Sequence, residues 1–261
     1  MKKVLFIISI ALFSCAAKND TPTITAIYPS GDTLPENLLR MYVRFSDPMK
    51  TVGNLENIRI VDRQGKEVKG SIFNNAYELW DESQKQLTLI FDPARVKTGL
   101  RVNETLGRAL KPHQAYQLII ENLETVEHIK LATYVKNFYV TLTDDTRPNT
   151  TKWNIYTPEV GSSNPLTVTL REPADWMSLL HRIRIVNEKD EYITGSIKIR
   201  RQEKEWVFTP DKKWKSGNYF MHINARFADP CGNNLNGLFD HKSGTLRFKS
   251  EDEIIKIPFS L

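Results

Sequence analysis

From Leu39 to Phe45 the chain reads Leu-Arg-Met-Tyr-Val-Arg-Phe, so Leu39, Met41, Val43 and Phe45 fall on one side of an extended backbone. Arg40, Tyr42 and Arg44 fall on the other. Leu166, Val168 and Leu170 repeat the device against Thr167 and Thr169. Side chains alternate between the two faces of a strand, so this pattern predicts strands with one buried and one solvated face. No span carries helical spacing of apolar residues over the length that a crossover helix requires, which sets parallel-sheet enzyme folds aside. The expected class is all-β.

Residues 58–72 read IRIVDRQGKEVKGSI and residues 183–197 read IRIVNEKDEYITGSI. Ile58/Ile183, Arg59/Arg184, Ile60/Ile185, Val61/Val186, Gly70/Gly195, Ser71/Ser196 and Ile72/Ile197 are identical pairs. In each copy, alternating apolar residues run into a polar turn, DRQG or NEKD, and leave along a second extended stretch. That predicts a hairpin, with Gly70 and Gly195 marking a bulge or a close backbone approach in the return strand.

The repetition extends in both directions. The strand ending Phe45-Ser46-Asp47-Pro48-Met49 corresponds to one ending Leu170-Arg171-Glu172-Pro173. Downstream, LTLIFDP (87–93) corresponds to EWVFTP (205–210), and a strand led by Tyr116 to one led by Tyr219. A unit of strand, hairpin, strand and Tyr-led strand written twice predicts two tandem antiparallel β-sandwiches. Their expected bounds are 23–143 and 154–261, joined by a polar, proline-containing linker at 144–153.

The steps Pro35-Glu36-Asn37 and Phe45-Ser46-Asp47-Pro48-Met49 resemble those of bacterial Ig-like domains of secreted and surface proteins. So do Phe208-Thr209-Pro210, Gly217-Asn218-Tyr219 and Asp229-Pro230-Cys231-Gly232-Asn233 in the second unit. The resemblance covers nearly all of residues 22–250 and implies two Ig-like sandwiches in an envelope protein. It implies no activity, because this domain type serves as spacer, adhesive module and enzyme accessory alike. The first unit departs from the pattern: it lacks the D-x-x-G-N loop and carries an insertion at 94–115. That insertion resembles a feature of a family of two-domain bacterial envelope proteins.

At the N-terminus, MKKVLFIISIALFSC places Lys2 and Lys3 before an apolar run, Val4 to Phe13, interrupted only by Ser9. The run is well short of the roughly 20 residues of a membrane-spanning helix and has the layout of an export signal. Leu12-Phe13-Ser14-Cys15 resembles the lipobox of bacterial lipoproteins. It implies removal of residues 1–14, acylation of Cys15, a tether over 15–22, and attachment to a membrane, with the outer membrane expected. The other cysteine, Cys231, is then left without an intramolecular partner. The formal charge of +5 includes Lys2 and Lys3, and no basic stripe interleaved with aromatics appears, so nucleic acid is excluded as a partner.

Candidate chemistry is sparse. The insertion gathers Arg95, Lys97, Arg101, Arg108 and Lys111 against one acid, Glu104. Such a loop docks an anionic group through bidentate arginines, or else covers an open sandwich edge. Trp176 and Trp214 are candidate platforms for stacking on a sugar ring, or else core residues. Asp229-Pro230-Cys231-Gly232-Asn233-Asn234 clusters oxygens but lacks a calcium-loop spacing and reads as a tight turn. The histidines His113, His128, His181, His222 and His241 stand singly, and neither H-E-x-x-H nor G-x-S-x-G occurs. No catalytic residue, cofactor or metal ligand is expected. The reading is a non-enzymatic, lipid-anchored envelope protein, structural or binding, with a protein or glycan partner. A carbohydrate-binding accessory or glycan-processing protein is the alternative.

Overall fold

The structure is a computed structural model that describes residues 21–74, 77–240, 250 and 252–261; Cys15 and the lipobox lie outside the described residues. The first eight strands are β1 (Ile24–Tyr28), β2 (Thr33–Pro35), β3 (Arg40–Phe45), β4 (Ile58–Asp62), β5 (Leu79–Trp80), β6 (Gln86–Ile90), β7 (Ala115–Ile120) and β8 (Tyr134–Thr141). They form two sheets, ordered β1-β3-β6-β5 and β2-β8-β7-β4. Seven more follow: β9 (Asn154–Tyr156), β10 (Leu166–Thr169), β11 (Ile183–Asn187), β12 (Gly195–Arg200), β13 (Glu205–Pro210), β14 (Asn218–Asn224) and β15 (Ile254–Ser260). Their sheets are ordered β12-β13-β10-β9 and β11-β14-β15. Each pair of sheets has the strand order of an immunoglobulin-type sandwich. Every strand pair is antiparallel except β2 on β8.

The alternating residues fill two separate cores. Met41, Val43, Ile60, Leu87, Leu89, Leu118 and Val140 meet in the first, and Leu166, Val168, Ile185, Trp206, Met221 and Ile223 in the second. Each is essentially removed from water, which contributes roughly 1.5–3 kcal/mol per large aliphatic side chain.

The two copies share a register as well as a sequence. Ile58 lies opposite Ile120 and Asp62 opposite Tyr116; Ile183 lies opposite Ile223 and Asn187 opposite Tyr219. Ile72 bridges Phe91 as Ile197 pairs with Phe208. Both Tyr-led strands also hold a tyrosine corner. The Lys111 N–H donates to the Tyr116 hydroxyl at 3.0 Å, and the Tyr219 hydroxyl donates to the Lys215 carbonyl at 3.0 Å.

The repeated phrase is a shorter hairpin than its pattern predicts. Its return arm pairs only briefly, through the bridges Val61–Glu67 and Val186–Tyr192. It then crosses to the opposite sheet, where Ile72 meets β6 and Gly195 opens β12 beside β13. The repeated phrase therefore encodes the corner at which the chain changes sheets. Its two glycines serve that corner differently. A Cβ on Gly195 would stand 2.3 Å from the Thr209 carbonyl oxygen, whereas Gly70 has open space but a φ of +62°. Gly195 fulfils the expected close approach, and Gly70 supplies a left-handed turn.

The described residues also include three short α-helices. Helices α1 (Pro93–Val96) and α2 (Arg101–Leu106) lie in the insertion, and α3 (Trp176–His181) lies between β10 and β11. None of the described helices is long and apolar enough to cross a membrane.

Candidate functional site at the junction of the sandwiches

Strand alternation leaves Tyr42 on the face of β3 opposite its core residues, where water is expected. Tyr42 is nevertheless only 3% exposed, because the second sandwich covers that face. Its hydroxyl donates to the Asp175 carboxylate at 2.7 Å. Asp175 is itself buried and also caps α3, accepting from the Ser178 N–H at 2.9 Å. One carboxylate thus ends a helix in the second sandwich and fastens a strand of the first. Burial and the neighbouring Asp175 charge push the Tyr42 hydroxyl pKa up, so it stays a donor. Beside it, the Tyr28 ring stacks on Trp176 with centroids 3.6 Å apart and planes 7° from parallel.

A second fastening comes from the Asp229–Asn233 loop, which the resemblance to Ig-like domains singles out. The Asp229 carboxylate accepts from the Cys231 N–H at 2.8 Å and the Asn233 N–H at 3.0 Å, so the motif closes a tight turn. The turn presses into the first sandwich. The Leu39 N–H donates to the Pro230 carbonyl at 3.0 Å, and the Cys231 sulfur lies 3.4 Å from Asn37 Oδ1. Asn37 and Asn233 both donate to the Asp144 carbonyl in the connecting segment. Burial, then the nearby Asp144 charge, holds the Asp229 carboxyl well above the usual carboxylate range. Burial also raises the Cys231 thiol, which leaves it a poor nucleophile. Among the described residues no group of three His, Cys, Asp or Glu side chains is set to hold a metal ion.

The insertion joins the same junction. Arg95 is buried and donates to the carbonyls of Gly107 at 2.9 Å and Lys69 at 3.0 Å. Lys97 lies 4.5 Å over the Phe239 ring. Arg108 pairs with Glu36 at 2.6 Å and approaches Asp240 at 3.8 Å, and Asp240 also receives the Thr98 N–H. Phe239 and Asp240 belong to the β14–β15 connection, so the anion that the insertion meets lies within the chain. Of the five cations in the insertion, Arg101, on α2, and Lys111 are exposed. The two candidate tryptophans are separated and buried. Trp176 is committed to Tyr28, and Trp214 sits in the second core with its indole N–H on the Asn164 carbonyl at 2.8 Å. Neither presents a free ring face for sugar stacking.

What the junction leaves open is a cleft of about 1230 Å³. The first sandwich supplies its wall from β1, from β8 and from the Asp62–Gly65 turn; the second supplies the tip of the β12–β13 hairpin, Ile199 to Glu203. At its floor Glu203, 3% exposed, accepts from the Ser30 N–H at 2.9 Å and hydroxyl at 2.7 Å. Lys136, 9% exposed, reaches the Ser30 carbonyl and Asp32 Oδ1, each at 3.3 Å. Burial raises the Glu203 carboxyl above its ordinary range, partly opposed by the Ser30 hydrogen bonds and the Lys136 charge. Reading the sequence for motifs missed this cleft. The available signal was Lys136, which occupies an inward position of YVKNFYVT where alternation calls for an apolar residue.

No family model matches the chain, and no curated protein matches it. Among solved structures, the surface layer protein SbsC (domains 1–6) is similar at 10% identity and a TM-score of 0.35, over 78% of this chain and 23% of its own length. The alpha-2-macroglobulin of Escherichia coli spanning domains MG0-NIE-MG1 is similar at 10% identity and a TM-score of 0.29, over 93% of this chain and 72% of its own. The BSP domain of a biofilm associated protein follows at 7% identity and a TM-score of 0.24, over 73% and 25%.

Proposed function

We propose that this chain is a non-enzymatic, lipid-anchored protein of the cell envelope whose two sandwiches form one binding body, with the partner received in the junction cleft. The observation that carries the reading is the cleft's construction: walls from both sandwiches and a floor where Ser30, Glu203 and Lys136 engage one another. A surface divided between two modules works only if they are held in register, and the Tyr42–Asp175 and Tyr28–Trp176 contacts do that. The export signal and the lipobox-like step ending at Cys15 support the anchor. More than one acyl chain is needed for firm attachment.

The cleft is tested by placing a photocrosslinking amino acid in cells at Tyr139, on the cleft rim, and at Tyr192, an exposed residue away from it. An adduct is expected from Tyr139 and none from Tyr192; a silent Tyr139 removes the cleft from the reading. The anchor is tested separately with Cys15→Ala, which is expected to leave the membrane fraction. Retention there, with unchanged mobility when lipoprotein processing is inhibited, overturns the anchor.

A second reading, binding of a glycan in the same cleft, draws on Tyr134 and Tyr139 among its lining residues. Glycan-array binding that is lost on Tyr139→Ala would favour it.

A further inference from the structure

We infer that the partner of the junction cleft is an extended, acidic polypeptide segment that adds as a strand to the free edge of β8. The inference rests on the proposal that the cleft is the binding surface. Its starting point is the length of β8. β7 pairs with β8 from Tyr134 to Tyr139, but on the other side β2 covers only Tyr139–Thr141. The stretch from Tyr134 to Phe138 has no strand on that side among the described residues.

The direction of its backbone groups follows from the bonds at its end. The Tyr139 N–H donates to the Asp32 carbonyl on the β2 side, while the Val140 N–H donates to Gln114 on the β7 side. Alternation in an antiparallel strand then turns the N–H and C=O of Val135 and Asn137 toward the free edge. Both residues are exposed and both line the cleft. Five residues of open edge run about 17 Å, enough for a short added strand.

The facing wall is built rather than incidental. Arg201, Gln202 and Glu203 have φ of 53°, 54° and 60°, three side-chain-bearing residues in succession in the left-handed region. That conformation is held by Ser30 on the Glu203 carboxylate and by the Ala174 N–H on the Glu203 carbonyl. Strain of this kind collects at ligand clamps. Here it sets Arg200 and Arg201 at the cleft.

Charge decides which strand fits. Four cations line the cleft, Arg63, Lys136, Arg200 and Arg201, against three acids, Asp32, Asp62 and Glu203, of which Glu203 is buried. Three of the cations are exposed. Arg63 is exposed with no partner among the described residues, and Arg200 and Arg201 share Glu205 at 4.0 and 3.7 Å. An acidic segment meets this surplus. A row of main-chain donors and acceptors suits a polypeptide better than a sugar.

The test uses the full-length protein in detergent and blocked nonapeptides that alternate valine with glutamate, valine with lysine, or valine with glutamate carrying N-methyl groups on alternate amides. Fluorescence anisotropy is expected to show the glutamate peptide binding about tenfold or more tightly than either control. Amide exchange at Val135 and Asn137 should slow on binding. Arg63→Glu, at an exposed site, should weaken binding about fivefold. Asn137→Pro should abolish it while the unfolding midpoint is retained; if that variant does not fold, the N-methylated peptide and Arg63→Glu decide. Equal affinity for the N-methylated peptide, or binding without protection of Val135 and Asn137, overturns strand addition. So does a dimer of the protein alone that the peptide does not dissociate, or competition by a neutral glycan. A Tyr139 photoadduct in cells with no peptide binding overturns this inference and leaves the cleft reading standing. Failure of both removes both.

Discussion

Tyr42 and Asp175 belong to different sandwiches, yet the hydroxyl of one donates to the carboxylate of the other across 2.7 Å and both are almost fully buried. Asp175 is already spent on capping α3, so the bond couples a helix start to a strand face. Tyr42→Phe keeps the ring and removes the donor, leaving that buried carboxylate oxygen only the longer contact with Arg40 at 3.9 Å. The expected cost is about 1–3 kcal/mol in urea unfolding. A loss near zero would show that Arg40 or water satisfies Asp175 and that the bond does not fasten the junction.

The two glycines of the repeated phrase should respond differently to alanine. At Gly195 the new methyl meets a backbone oxygen of its neighbour strand, which cannot rotate away, so overpacking of about 1–3 kcal/mol or more is expected. At Gly70 the methyl meets nothing, and only the left-handed backbone is penalised, by about 1–2 kcal/mol. Thermal unfolding of both variants checks the order. A larger loss at Gly70 would contradict the close approach at Gly195.

The paired phrases carried much of the fold because strand alternation and register are local properties. Ile58/Ile183, Ile72/Ile197 and Tyr116/Tyr219 occupy matching positions in the sheets, as their sequence spacing implies. The junction was not legible in that way. Tyr42 and Asp175 are 133 positions apart, Ser30 and Glu203 are 173, and Asn37 and Cys231 are 194. A polar residue on an outward strand face looks the same in sequence whether it meets water or another sandwich. The D-x-x-G-N loop was visible as a turn, but its insertion against Leu39 and Asn37 depends on how the two sandwiches dock. The basic insertion is a related case: the carboxylates that Arg108 meets, Glu36 at 2.6 Å and Asp240 at 3.8 Å, both lie far from it in sequence.

Within that insertion, Arg95 and Arg101 should part company. Arg95→Ala removes a buried guanidinium and leaves the Gly107 and Lys69 carbonyls without their donor, at an expected cost of about 1.5–3 kcal/mol. Arg101→Ala alters an exposed side chain on α2 and should stay within about 0.5 kcal/mol. Chemical unfolding of both variants checks this, and equal effects would mean that the carbonyl contacts of Arg95 are dispensable.

Glu203 should leave a signature in the pH dependence of stability. Burial raises its carboxyl pKa in the folded chain above the unfolded value, so the native state holds the proton more tightly. Its contribution to stability is therefore complete below the ordinary carboxylate range and is lost as pH rises through the raised folded pKa. Glu203→Gln cannot ionise, and its amide can still accept from the Ser30 N–H and donate to the Ser30 hydroxyl oxygen. The substitution shifts stability by a constant amount at every pH and deletes the titration. The stability of wild type minus that of the Gln variant is thus expected to fall as pH rises out of the ordinary carboxylate range and to level off above the raised folded pKa. The subtraction removes the contributions of His181 and His222, whose lowered pKa values act in the opposite direction as pH falls. Urea midpoints at matched ionic strength provide the measurement. A difference that stays flat with pH would mean that Glu203 titrates as it does in the unfolded chain, and that the floor of the cleft is wetter than its burial implies.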